Sequence, residues 1–141
     1  CGGGFALFTV PSLMRASAAA NEASAIGDLR SMISAQAIYA TYCNGGYGDL
    51  PALTQPASVV PAITAPLLLE PMAAAERHGY RFQLLTQEPL PGTESCQRSF
   101  RRYAYSATPL DTRNRSFLAT DDGLIHEARG RPAEPGDPPL P

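Results

Sequence analysis

Residues 10–42 read VPSLMRASAAANEASAIGDLRSMISAQAIYATY, and the architecture of the whole chain hangs on what this run forms. Pro11 suits a first helical turn, where its missing N–H has no intrahelical partner to lose, or a kink. Ala16, Ala18, Ala19, Ala20, Ala23 and Ala25 are strong helix formers. Ile26, Leu29, Ile33, Ala37 and Ala40 recur at helical spacing and predict a stripe turned to a core, with Glu22, Asp28 and Arg30 off it. Gly27 is tolerated at about 1 kcal/mol relative to Ala. Asn44, Gly45 and Gly46 offer the left-handed conformations that end helices, so the reading is one helix over 11–43.

What flanks the helix differs in kind. Residues 44–78 form a connector punctuated by Pro51, Pro56, Pro61, Pro66 and Pro71, a spacing that forbids a long helix or a central strand. It reads as a loop with short turns near 66–70 and 72–77. Its Leu50, Leu53, Val59, Val60, Ile63, Leu67, Leu68 and Leu69 require that it pack on something. From 79 to 128 the pattern becomes β. Tyr80, Phe82 and Leu84 alternate with Arg81 and Gln83, a two-faced strand follows through Phe100–Tyr105, and 115–120 and 124–127 flank an Asp-Gly turn, the favoured hairpin pair. The expected fold class is α+β, with one long N-terminal helix on a three- or four-stranded antiparallel sheet. The tail, 129–141, is proline-rich and extended, and in isolation mobile unless a partner holds it.

Composition narrows the function classes. The chain has 141 residues, enough for one core. All eleven basic residues are Arg, charged residues are 17% and the net charge is -2, so there is no basic footprint for nucleic acid. The first ten residues, CGGGFALFTV, are a short hydrophobic segment, since a membrane span needs about 20 apolar residues. A chain opening on Cys1 and not on Met reads as a processed or trimmed form. Cys1 before small residues is what remains after a lipoprotein signal is cleaved, which makes Cys1 the candidate lipid attachment point. Of the three cysteines, Cys43 and Cys96 are the natural pair. A bridge between them closes a loop of about fifty residues and stabilises by roughly 4 kcal/mol. The alternative is two buried free thiols in a reducing compartment.

No catalytic constellation stands above background. Nucleophile elbow, phosphate loop and metalloprotease helix are all missing from the sequence, and nothing in it calls for a cofactor or a metal. His78 and His126 fall on predicted strand edges and read as surface histidines; a Cys43 nucleophile paired with either is the weaker alternative. Asp121 and Asp122 read as a hairpin turn and not a calcium site. Asn114-Arg-Ser116 fits the short glycosylation sequon. Tyr39, Tyr42, Tyr47, Tyr80, Tyr103 and Tyr105 read as the edge of the core. The expectation is a protein that is not an enzyme.

The run from Val10 to Tyr42 closely resembles type IV pilins and the pseudopilins of type II secretion. Its Pro11, its basic Arg15 and its Asn-Glu-Ala stretch at 21–23 carry the likeness, as do Leu29-Arg30 and Ala35-Gln36. The Gly45-Gly-Tyr-Gly-Asp-Leu-Pro-Ala-Leu53 passage and the strands at 79–82, 103–109 and 115–125 are similar too. The resemblance implies a structural subunit, major or minor, of an extracellular filament, assembling with itself or other pilins through the N-terminal helix after a membrane-bound stage. It implies assembly contacts at Phe5, Leu7, Phe8, Val10, Leu13 and Met14. The departure lies upstream: the family's hydrophobic run is longer and contains a Glu, understood to neutralise a neighbouring subunit's amine in the dry filament core. Here ten residues precede Pro11 and none is acidic. The alternative is a lipid-anchored pilin-like binding protein facing the periplasm or the cell surface that does not polymerise, held by Cys1.

Overall fold

Helix α1 (Gly2–Tyr42) lies along one face of a five-stranded antiparallel sheet in a computed structural model that describes the backbone of residues 2–141 and the side chains of residues 16–141. The helix thus takes in residues 2–10 of the first segment that the sequence sets apart, and does not begin at Pro11. Its buried seam is Ala25, Leu29, Met32, Gln36, Tyr39 and Cys43, in alternating steps of four and three. This is not quite the predicted stripe. Ile26 and Ile33 are only partly buried, and Ala37 is exposed. The seam is turned because two polar residues have partners in the interior. Gln36 is fully buried and pairs with Gly48, and Tyr39, also fully buried, donates its hydroxyl to the Arg98 carbonyl at 2.5 Å. An apolar pattern does not register them.

Past Tyr42 the chain leaves the helix through Asn44 (φ 53°) and Gly45 (φ 88°). The Gly45 N–H bonds back to the Ala40 carbonyl at 2.9 Å, satisfying an otherwise orphaned helix-end acceptor. The connector holds a short helix, α2 (Leu50–Thr54), that its prolines hide. Pro51 falls in the first turn, where proline is compatible with a helix, and the Asp49 carboxylate caps it by accepting from the Ala52 N–H at 3.0 Å. Two 3-10 turns follow at Pro56–Ser58 and Glu70–Ala73. Ala52, Leu53, Val59, Val60, Ile63 and Leu68 are buried, so the connector forms one wall of the core.

The strands are β1 (Glu76–Arg77), β2 (Tyr80–Leu90), β3 (Ser99–Pro109), β4 (Ser116–Thr120) and β5 (Ile125–Ala128), paired in chain order. Five strands replace the expected three or four. The extra one is β1, two residues long, joined to β2 through His78 (φ 55°) and Gly79 (φ 73°). That is the positive-φ pair that a tight hairpin requires, and no apolar alternation marks so short a strand. Toward α1 the sheet turns Tyr80, Phe82, Tyr103, Tyr105, Phe117, Ala119 and Ile125, all buried. The Tyr80 and Phe117 rings lie 6.0 Å apart and those of Phe82 and Tyr105 5.6 Å, within the range of favourable aromatic pairs.

The tail is docked and not free. Leu140 donates its N–H to the Ile125 carbonyl at 2.7 Å, and Glu127 donates to the Pro138 carbonyl at 3.0 Å. Leu140 also packs on the core. Strand β5 would otherwise expose a row of unpaired backbone groups, and the tail covers it. Proline content predicts extension, which is observed, but says nothing about an edge that needs covering.

Cys43 and Cys96 are joined by a disulfide, Cα–Cα 5.4 Å, across a sequence separation of 53. It ties the end of α1 to the β2–β3 loop. We expect Cys43→Ala/Cys96→Ala to lose about 4 kcal/mol of unfolding free energy. Urea titration of the variant and of the reduced wild type should agree; an unchanged midpoint on reduction would show that the bridge does not constrain the chain.

Candidate assembly interface

Glu22 and Asp28, which the sequence places off the apolar stripe, flank the buried seam and reach the sheet from either side. The Glu22 carboxylate accepts from the Arg115 backbone N–H at 2.7 Å and from its guanidinium at 3.2 Å, while the same guanidinium reaches Glu127 at 2.8 Å. Asp28 accepts from Arg77 Nε at 3.1 Å. Arg77 also donates to the Tyr105 hydroxyl at 2.9 Å and to the Met72 carbonyl at 2.9 Å, and lies 4.0 Å over the Phe82 ring. Higher on the helix, Gln36 Nε2 donates to the Gly48 carbonyl at 2.7 Å and Oε1 accepts from the Gly48 N–H at 2.8 Å.

With one side so held, the opposite side of α1 is fixed as the outer surface. Ala16, Ala20, Ala23, Gly27, Ser31 and Ser34 follow one another along it, all exposed. Nothing lies within 4 Å of where a Cβ on Gly27 would stand. Over this length the face offers no side chain larger than Ser, with Arg30 at its border. Beyond it Ile38 and Tyr42 are 46% and 44% exposed. A cleft of about 380 Å³ runs beside the face, between Arg30, Ile33 and Ser34 of α1 and Leu124, Ile125 and Leu140. Toward the N-terminus the side chains of Ala16, Ser17, Ala19 and Ala20 are exposed, so this stretch of helix extends past the sheet.

The assembly residues implied by resemblance, Phe5, Leu7, Phe8, Val10, Leu13 and Met14, lie outside the described side chains, as does Cys1. Cys43 is held in the disulfide and offers no free thiol to either histidine. His78 stands exposed in the β1–β2 turn, with Nε2 3.7 Å from Asp28. His126 is not a surface residue: it is 5% exposed, buried where the tail crosses β5. Asp122 accepts from the Thr120 hydroxyl at 2.5 Å and the Leu124 N–H at 2.9 Å, the work of a turn residue. No group of three or more His, Cys, Asp or Glu among the described residues is placed to hold a metal. Asn114 of the sequon is 6% exposed. Tyr39, Tyr80, Tyr103 and Tyr105 are core residues, and burial pushes their phenols up, so they stay neutral; Tyr39 and Tyr80 donate to the Arg98 and Arg115 carbonyls, and Tyr105 accepts from Arg77.

No protein family, curated protein or solved structure matches the chain. No helix among the described residues is long and apolar enough to cross a membrane. The functional signal that residue patterns miss is the set Gln36, Arg77 and Arg115. The one hint available is that polar residues stand at or beside helix positions destined for burial.

Two substitutions test this anchoring. Gln36→Leu strips both backbone groups of Gly48 of their buried partners and should cost about 3 kcal/mol. Arg115→Ala leaves Glu22 and Glu127 facing each other, but the site is partly open to solvent, so about 2 kcal/mol is expected. Chemical denaturation of both checks the order; Arg115→Ala as the more damaging change would contradict it.

Proposed function

We propose that the chain is a structural, pilin-like subunit that assembles into a cell-surface filament through α1, and that it is not an enzyme. The observation that supports this best is the exposed, small-residue face from Ala16 to Ser34 on a helix that extends past its own sheet. Small side chains let helix backbones approach closely, and a helix held by only one side presents the other to a neighbour. The disulfide fits an oxidising, exported setting. The helix sequence resembles that of pilins over the same stretch. In this reading α1 packs against copies of itself or of other pilins, and the sheet and connector face outward.

Electron microscopy of sheared cell-surface material, labelled with antiserum to this chain, should show decorated filaments. Gly27→Arg fills open space on the monomer and should change its unfolding free energy, read by urea titration, by less than about 1 kcal/mol, while removing the filaments. Unlabelled filaments, or a soluble monomer with a diacylglyceryl mass on Cys1, would replace this reading with the lipid-anchored, non-polymerising one.

A further inference from the structure

His126 stands on β5 opposite Leu118, and both are buried although alternation turns them away from α1. The tail lies against them, pairing Pro139 with His126. Within the tail, the Asp137 carboxylate binds the Arg131 guanidinium and accepts from the Glu134 N–H at 2.7 Å. This closes a turn that presents the Asp137 carbonyl to the imidazole. His126 Nδ1 lies 2.8 Å from that carbonyl, which accepts but does not donate, so Nδ1 carries the hydrogen. In the neutral ring Nε2 is then a bare lone pair. It has no hydrogen-bond partner, and the nearest charged group is the Asp122 carboxylate at 3.7 Å.

A lone pair facing a carboxylate is mismatched, whereas an N–H there is not. We propose that His126 is a pH-sensitive latch on the tail: one proton taken up at Nε2 turns it into a donor to Asp122 and tightens the tail on β5. Loss of that proton loosens the tail, uncovers the β5 edge, and withdraws Leu140 and Pro141 from the cleft beside α1. The charged groups around the ring are Asp122 from the β4–β5 turn and Asp137 from the tail, the latter with Arg131 and Glu134 beside it. Strand β4 presents the apolar Leu118. The Arg131 guanidinium and the Glu134 N–H hold Asp137 down to about 2. Asp122 is raised by burial, but its bonds from Thr120 and Leu124 and the neighbouring His126 leave it lowered overall. Both carboxylates therefore stay ionised where imidazole changes charge, between about pH 5 and 8. The sign follows from the bond: the protonated ring donates to Asp122 and holds the tail, so docking is stronger at acid pH and weaker at alkaline pH.

The test is amide hydrogen exchange on the intact chain at about pH 5.5 and 7.5, corrected for intrinsic exchange and read at the Leu140 and Glu127 N–H groups. We expect about tenfold more protection at the lower pH, the scale of one hydrogen bond to a charged group, with β2–β3 amides unchanged. His126→Gln should abolish the difference. Asp122→Asn keeps an oxygen for the Leu124 N–H, and it decides the matter if the first variant does not fold: it should remove most of the difference. Equal protection at both pH values in the wild type, or a difference that survives Asp122→Asn, would overturn the latch.

Discussion

Gln36 reaches from α1 and pairs with both the N–H and the C=O of Gly48, and this contact sets the rotation of the helix about its own axis. The amide is fully buried and matches a peptide group donor for acceptor. A helix turned by one residue would leave three or four polar atoms in the core without partners, at about 1–3 kcal/mol each. Apolar contacts alone discriminate less, because Ile26 and Ile33 would fill the interior as well as Ala25 and Met32. The rotation in turn decides that Ala23, Gly27 and Ser34 face outward. What the molecule offers a neighbour is therefore fixed by an interior hydrogen-bonded pair.

The charged contacts lower on the helix have a different weight. Glu22, Asp28, Arg77 and Arg115 keep between 10% and 24% of their side-chain surface, so water weakens each pair while the cost of burying the charges is also reduced. Their geometry is directional nonetheless. Arg115 binds α1 through Glu22 and β5 through Glu127 at once, and Arg77, itself on β1, links α1, β3 and the turn before β1. They align the helix along its length, whereas Gln36, Tyr39 and the disulfide hold its upper end. Below Asn21 neither kind of anchor is present among the described side chains, and the exposed alanines begin there.

Much of this was legible in the residues, for physical reasons that also explain what was not. Alanine-rich helical spacing ended by Asn44-Gly45 identifies α1, and Asp122-Gly123 identifies the β4–β5 hairpin, because both are local signals. The Cys43–Cys96 pairing followed from there being one sensible partner. Periodicity puts the helix stripe one residue off at every position but Leu29, because it counts only apolar residues, and Gln36 is buried by its partner and not by its character. Helix α2 was hidden by prolines that, at Pro51, suit the start of a helix. Strand β1 is too short for any pattern, and the burial of His126 depends on a tail eleven residues or more further along the chain, so no local window contains it.

Gly27 carries the argument about assembly furthest. In a helix interior glycine costs about 1 kcal/mol relative to alanine, and such a cost is normally offset by a positive φ or by a backbone passing close by. Neither applies here: Gly27 is not among the positive-φ glycines, and a Cβ there would meet nothing within 4 Å. The fold of the single chain thus gives no reason for its presence. The proposed assembly supplies one, since a second helix laid against Ala23, Gly27 and Ser31 approaches most closely where the side chain is missing. An alanine at this position would then separate two effects that otherwise travel together, stabilising the monomer while widening the spacing between packed helices.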